Sequence, residues 1–154
     1  MQIRQATVED AGRVAEIYNE YILHTTITFE NQAVPVEEMA RRIREKLGSY
    51  DWIVAEIEQT VVGYAYYGSF RPRPAYAHTV ETTLYLAPGY TGQGLGTQLY
   101  EHLIESIRRG GFRELIGVVA LPNPASIALH RKMGFVEAGL LKNVGYKFGR
   151  YLDV

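Results

Sequence analysis

A carboxylate on a strand-like segment and a glycine-rich turn just after it are the residues most able to do chemistry here. Glu81 lies in a β-branched and aromatic run that ends at 87–89, and three alternating glycines follow it, Gly92, Gly94 and Gly96. A helix-like pattern begins at these glycines. Glycine lets the backbone approach an anion closely, and a helix N-terminus offers unpaired N–H groups to a phosphate. The pattern predicts a phosphorylated carrier held beside a proton acceptor.

The glycine spacing rules out two common phosphate-binding motifs. It lacks the GxGxxG spacing of dinucleotide folds, and no Gly-Lys-Ser/Thr follows as a P-loop requires. Taken alone, the loop is equally compatible with a glycine-rich turn that binds nothing.

The composition is that of one ordinary globular domain spanning 1–154, with 47% hydrophobic and 21% charged residues. The net charge of -1 argues against nucleic acid as a partner. The absence of cysteine excludes disulfides and thiolate metal sites, and we expect no metal. No apolar run approaches the ~20 residues of a membrane span, and Met1–Arg4 does not read as a signal peptide. We therefore expect a soluble cytoplasmic protein.

The periodicity predicts strands and helices in alternation. The predicted strands are 2–5, 52–57, 61–70, 78–86 and 114–121, with strand-like residues at the end of the chain. The predicted helices start at Thr7, Pro35, Gly94 and Asn123. One of them stacks its apolar residues four apart, at Leu95, Leu99, Leu103 and Ile107. This order predicts a mixed α/β fold, with a mixed sheet and helices on both faces.

A family resemblance covers nearly the whole chain. The element order βααβββαβαβ, with the glycine loop between the fourth strand and third helix, resembles the GCN5-related N-acetyltransferase (GNAT) superfamily. Seven segments also resemble, in order and spacing, the branch that acetylates phosphinothricin and methionine sulfoximine: 17–19, 28–30, 79–81, 91–96, 121–123, 134–135 and 145–147. The resemblance implies a twisted, mostly antiparallel central sheet. In that fold the last strand continues beyond the position where this chain stops.

The resemblance implies a direct transfer of acetyl from acetyl-CoA to the amino group of a small amino-acid analogue. Such a transfer needs a neutral amine, and an amine at pH 7 is largely protonated. Glu81 matches the family's base, although many strand glutamates are merely solvated. His130 stands where many members carry the tyrosine proposed to protonate the CoA thiolate, and it is a candidate acid or a packing residue.

The resemblance also implies the CoA contacts. The backbone from Gly92 to Thr97 (Gly92, Gln93, Gly94, Leu95, Gly96 and Thr97) would hold the pyrophosphate, and Leu84, Tyr85 and Leu86 would pair with the pantetheine arm. Asn123 and Ser126 resemble the family's CoA-contacting pair, although helix capping also explains Asn123. Lys132 is either a phosphate contact or a surface charge. Thr91 departs from the usual Gln or Arg, so a phosphate contact is lost there.

The acceptor site is implied less sharply. Arg71 and Arg73 resemble the branch's substrate loop, and a guanidinium suits carboxylate and phosphinate oxygens; a solvated Arg-Pro turn is the alternative. Phe29 would wall the pocket, although a core aromatic is the equal alternative, and Thr82 and Thr83 would lie beside it.

Other functions stay open at this point. They are acetylation of a protein N-terminus, polyamine or aminoglycoside, and acyl-CoA sensing without turnover. The resemblance also implies a homodimer.

Overall fold

A five-stranded sheet organises the protein, and the computed structural model describes residues 1–154. The strands lie side by side in chain order: β1 (Gln2–Gln5), β2 (Trp52–Ile57), β3 (Thr60–Ser69), β4 (Thr79–Leu86) and β5 (Glu114–Gly117). The first four pair antiparallel, and β5 pairs parallel to β4. The predicted mixed, mostly antiparallel sheet is confirmed.

Four helices cover the sheet: α1 (Ala11–His24), α2 (Val36–Leu47), α3 (Leu95–Arg109) and α4 (Pro124–Lys132). Pro35 and Asn123 precede their helices as predicted, whereas the helix predicted after Thr7 begins with a 3-10 turn at Val8–Asp10. No helix is both long and apolar enough to pass through a bilayer.

The two faces of the sheet carry separate hydrophobic cores. On one face, α1 and α2 pack over a core that includes Trp52 and Tyr64. On the other face, Leu95, Leu99, Leu103 and Ile107 of α3 are buried against the alternate residues of the same strands. Alternation along each strand therefore places successive side chains in different cores. Helices on both faces are confirmed.

β5 pairs with only the first half of β4. Their pairing runs from Thr79 opposite Glu114 to Thr82 opposite Gly117, and stops there. The prediction of a strand reaching Leu121 was wrong. An apolar run matches a buried strand by composition, but residues 118–120 line an open cleft instead of pairing with β4.

The last residues form a hairpin of their own. β6 (Gly145–Lys147) and β7 (Arg150–Leu152) pair antiparallel as a two-stranded sheet. Val154 and Leu141 exchange two backbone hydrogen bonds of 2.8 and 3.0 Å. The predicted strand-like character is confirmed, but these strands are not hydrogen-bonded members of the main sheet.

Candidate active site

The separation of β4 and β5 opens a cleft of about 770 Å³. Its walls are the second half of β4, residues 118–120, the glycine turn, α4 and the loop between α1 and α2. Paired strands would have filled this space with a backbone ladder. The divergence instead leaves the edge of β4 facing a groove that can admit an extended ligand.

The glycine turn requires glycine at two of its positions. Gly92 and Gly94 have φ angles of 75° and 81°, a region that side chains other than glycine rarely adopt, and Gly94 is the residue before the first turn of α3. The Gln93 side-chain amide donates to the Gly89 carbonyl oxygen at 3.1 Å, which closes the turn. The amides at the start of α3 therefore meet the cleft in an arrangement suited to an anion.

Most of the predicted cofactor residues line the cleft. They are Leu84, Tyr85, Leu86, Gly92, Gly94, Gly96, Thr97, Asn123, Ser126 and Lys132. Two others do not: Leu95 is buried in the α3 core and Gln93 is exposed outside the lining. Any contact of these two residues with the cofactor would therefore come from their backbone amides. The carbonyl oxygen of Leu86 already accepts a 2.5 Å hydrogen bond from the Tyr21 hydroxyl.

Asn123 works as a helix cap in this structure. Its side-chain oxygen accepts the backbone N–H of Ser126 at 3.2 Å. A CoA contact by the Asn123 amide nitrogen is compatible with this bond and stays a prediction.

Glu81 is half-buried in the cleft wall. It points to the α1–α2 face of the sheet, as Thr83 and Tyr85 do, while Thr82 points to the α3 face. Burial raises the pKa of the Glu81 carboxyl above its usual range, and the positive charge of Lys46 opposes that rise. A carboxylate in such a cleft can take a proton from a neighbouring ammonium group.

His130 belongs to a chain of hydrogen bonds. Its Nδ1 lies 2.7 Å from the Ser126 carbonyl oxygen, which can only accept, so the neutral ring carries its proton on Nδ1. Its Nε2 then accepts from the Tyr100 hydroxyl at 3.1 Å. Tyr100 in turn lies 2.5 Å from the Thr82 hydroxyl. Nε2 can therefore give a proton only when the ring is an imidazolium.

The backbone of β5 makes room for this ring. A Cβ atom at Gly117 would lie 2.7 Å from both Nε2 and Cδ2 of His130. The imidazole thus packs directly over the last residue of β5, beside the point where the two strands part.

Sequence reasoning missed the tyrosines of the cleft. Tyr18, Tyr21, Tyr66 and Tyr100 all line it. Burial raises the pKa of Tyr100 to about 12, so its hydroxyl is neutral at physiological pH. The available signal was a tyrosine next to the leucine stripe of α3, because a buried tyrosine hydroxyl needs a polar partner.

The loop between α1 and α2 is held in place by contacts with β6 and with α2. Phe29 lines the cleft, and its ring packs against Gly145 of β6, where a Cβ would collide with it. Next to it, the buried Lys147 donates to the Thr28 carbonyl oxygen at 2.7 Å. Glu30 forms a two-pronged ion pair with Arg42 of α2 at 2.7 and 2.9 Å.

The two arginines predicted to read the substrate lie elsewhere. Arg71 and Arg73 are exposed, and neither lines the cleft. The Arg71 guanidinium lies over the rings of Phe70 and Tyr76, at 4.8 and 5.6 Å from their centroids. The substrate role of both arginines stays a prediction. Thr82 and Thr83, by contrast, line the cleft beside Glu81.

Comparison with known proteins agrees with this geometry. The family model described as "Acetyltransferase (GNAT) domain" matches residues 3–154. A phosphinothricin N-acetyltransferase of Streptomyces viridochromogenes is 38% identical over 154 residues, covering 100% of this chain and 84% of that protein. An L-methionine sulfoximine/L-methionine sulfone acetyltransferase of Salmonella typhimurium is 36% identical over 156 residues, covering 100% and 91%.

A solved structure shows the same fold. The phosphinothricin acetyltransferase of Sinorhizobium meliloti, in complex with acetyl-CoA, superposes with a TM-score of 0.95 at 40% identity, covering 99% of this chain and 83% of that one. The matched fold, the glycine turn and the full-length similarity together show that the chain belongs to the GNAT acetyltransferase family.

Proposed function

We propose that this protein transfers acetyl from acetyl-CoA directly to the amino group of a small amino-acid analogue of the phosphinothricin or methionine sulfoximine type. The observation that carries the proposal is Glu81, a half-buried carboxylate in the cleft that leads to the glycine turn. A sensor that only binds acyl-CoA needs the turn but not this carboxylate. The named relatives support the amine class.

The chemistry follows from the arrangement. The glycine turn and the start of α3 hold the pyrophosphate, and the exposed edge of β4 receives the pantetheine arm. The amine, having lost a proton to Glu81, attacks the thioester carbonyl. A C–N bond forms, the C–S bond breaks, and the nitrogen releases its second proton to water. The leaving thiolate takes a proton from His130 as an imidazolium, or from water. The chain contains no cysteine to carry the acetyl group, which favours direct transfer.

The test measures the release of free CoA thiol from acetyl-CoA, in the wild type and in matched variants. The protein is incubated with acetyl-CoA and either phosphinothricin, methionine sulfoximine, a polyamine or a peptide N-terminus. We expect turnover with the first two, and a fall in kcat of roughly 10²–10⁴-fold for Glu81→Gln. Partial recovery at high pH should follow, since more of the amine then arrives neutral.

The control is Glu114→Gln, an exposed glutamate on the adjacent strand. It should leave kcat unchanged. A Glu81→Gln protein with wild-type kcat at pH 7, or turnover of the polyamine alone, would contradict the proposal.

We further propose a cytoplasmic homodimer. Acetyl-CoA is an intracellular metabolite, and a chain without cysteine suits a reducing compartment. The C-terminal region exposes several large apolar side chains, which is typical of an interaction surface. These side chains are Val136, Leu141, Tyr146, Phe148 and Tyr151, each at least 60% exposed. Sedimentation should give twice the 17.4 kDa chain mass, and a monomer at micromolar concentration would refute the dimer.

A further inference from the structure

Lys46 carries a positive charge that no carboxylate neutralises directly. The two other basic side chains near it on α2, Arg41 and Arg42, form ion pairs with glutamates. Lys46 has no carboxylate oxygen within the 4.0 Å limit for a salt bridge. Its ammonium group is therefore free to act on charges farther away.

The ammonium lies in a gap that a glycine leaves in the sheet. A Cβ atom at Gly68 of β3 would collide with Lys46 Nζ. The rings of Tyr50 and Tyr66 flank the ammonium, each with its centroid 5.9 Å from Nζ. Cation–π attraction to these rings favours this position of the ammonium over Gly68.

This gap adjoins the proposed catalytic base. Gly68 is the direct partner of Glu81 in the β3–β4 ladder. Side chains of directly opposed residues point to the same face, so the ammonium replaces the cross-strand neighbour that Glu81 lacks. In such a pair the two Cβ atoms are about 4.5–5.5 Å apart, and Lys46 Nζ occupies the position that a Gly68 Cβ would take.

Lys46 is nevertheless screened from the substrate space. It does not line the main cleft, but it lines a second cavity of about 210 Å³. Tyr66 lines both cavities and so forms the wall between them. The lysine can therefore act on the reaction through Glu81 without touching the substrate.

The other titratable groups near Glu81 on this face of the sheet are neutral or have partners of their own, and Lys147 donates to the Thr28 carbonyl oxygen. Tyr66 and Tyr85 are titratable, and burial raises the pKa of each, which keeps them neutral. Glu30 and Arg42 are paired with each other. Lys46 is the charged group that lowers the pKa of Glu81 against the effect of burial.

We propose that Lys46 is a positioning residue for acetyl transfer, whose ammonium, seated over Gly68, keeps the Glu81 carboxylate ionised inside the cleft. This inference rests on the proposed function, in which Glu81 is the base. Without the lysine, the buried carboxylate retains its proton to higher pH and cannot accept one from the amine.

The test compares Lys46→Met and Lys46→Gln, which remove the charge, with Lys46→Arg, which keeps it. The matched control is Arg44→Met, which removes a positive charge from an exposed position of the same helix. The readout is kcat/KM against pH. We expect the acidic limb to move up by about one pH unit in Lys46→Met and Lys46→Gln, the low end of the effect of a nearby opposite charge. This is about a tenfold loss on the acidic flank.

Above that limb, both neutralised variants should approach wild-type rates, and Lys46→Arg and Arg44→Met should keep the wild-type limb. An unmoved limb in both neutralised variants, an equal shift in Arg44→Met, or a loss equal at every pH would overturn the proposal.

A second readout does not depend on turnover. Carbon-13 NMR of the Glu81 carboxyl titrates the group directly in the wild type and in the variants. A midpoint raised in Lys46→Met or Lys46→Gln supports the inference even if no acetyl acceptor is found, and an unchanged midpoint in both refutes it. Failure of the proposed function would instead appear as an absence of thiol release from the wild type.

Discussion

Tyr100→Phe should destabilise the protein, because it removes a hydroxyl that is the hydrogen-bond partner of other side chains. The Tyr100 hydroxyl connects Thr82 with His130 at 2.5 and 3.1 Å, and both Tyr100 and Thr82 are buried, at 1% and 6% exposure. Phenylalanine keeps the packing of the ring but leaves the Thr82 hydroxyl without its partner. His130 borders the cleft, where water can replace the lost donor.

The cost is that of one buried unsatisfied polar group, about 1–3 kcal/mol in the free energy of unfolding. For a domain of this size each kcal/mol lowers Tm by roughly 2–4 °C. Urea unfolding followed by circular dichroism measures the free energy, and a thermal melt gives Tm. Tyr76→Phe, whose hydroxyl makes only a solvent-exposed contact of 3.5 Å with Arg71, is the matched control and should change the free energy by less than about 0.5 kcal/mol.

A double-mutant cycle identifies the cause. Thr82→Val combined with Tyr100→Phe replaces both partners by apolar groups, so the double variant should be more stable than the sum of the two single losses predicts, with a coupling of about 0.5–3 kcal/mol. Strict additivity, or a Tyr100→Phe loss no larger than that of Tyr76→Phe, would refute the reasoning.

Three further outcomes are expected. Gly94→Val should weaken acetyl-CoA binding in calorimetry much more than it raises the amine KM. The control Gly111→Val, at a matching φ of 82° away from the cleft, should leave acetyl-CoA affinity intact, and an equal loss of affinity in both variants would indicate general backbone strain. Arg73→Ala should weaken the binding of acidic amino-acid analogues by roughly 1.5–3 kcal/mol and leave the binding of uncharged amines unchanged. An equal rise in KM for both classes would show that Arg73 does not recognise the substrate's negative charge. Arg4 holds the pKa of the Asp10 carboxyl below its usual 3.8, so this ion pair stabilises the fold above that pH, and the stabilisation is lost as pH falls through the folded-state pKa. In urea unfolding at several pH values, Asp10→Asn should lose less unfolding free energy on acidification than the wild type, and an unchanged pH dependence would contradict this.

Local patterns predicted the parts of the molecule that local physics determines. The leucine stripe of α3 and the cap at Asn123 follow from helical spacing and backbone hydrogen bonding, and both are as expected. The positive φ angles at Gly92 and Gly94 agree with the use of glycine there.

What the sequence did not reveal depends on contacts between distant segments. The parting of β4 and β5 left no mark in the apolar run after Gly117, so the strand was predicted too long. The placement of Lys46 beside the partner of Glu81 joins α2 to β3, and no spacing along the chain encodes it. Arg71 is a separate case, because its guanidinium stacks on two rings close to it in the chain, those of Phe70 and Tyr76, and its substrate role stays a prediction.

The bond from Lys147 to the Thr28 carbonyl oxygen joins residues 119 positions apart. A buried ammonium that loses its acceptor is costly, so a movement of the hairpin or of the loop carrying Phe29 that leaves Lys147 buried without Thr28 is disfavoured. The two segments therefore form one cooperative opening unit, in the sense that native-state hydrogen exchange reports. The position of Phe29 in the cleft is thus linked to residues near the end of the chain, and we expect a ligand that holds Phe29 in place to slow amide exchange in β6 and β7.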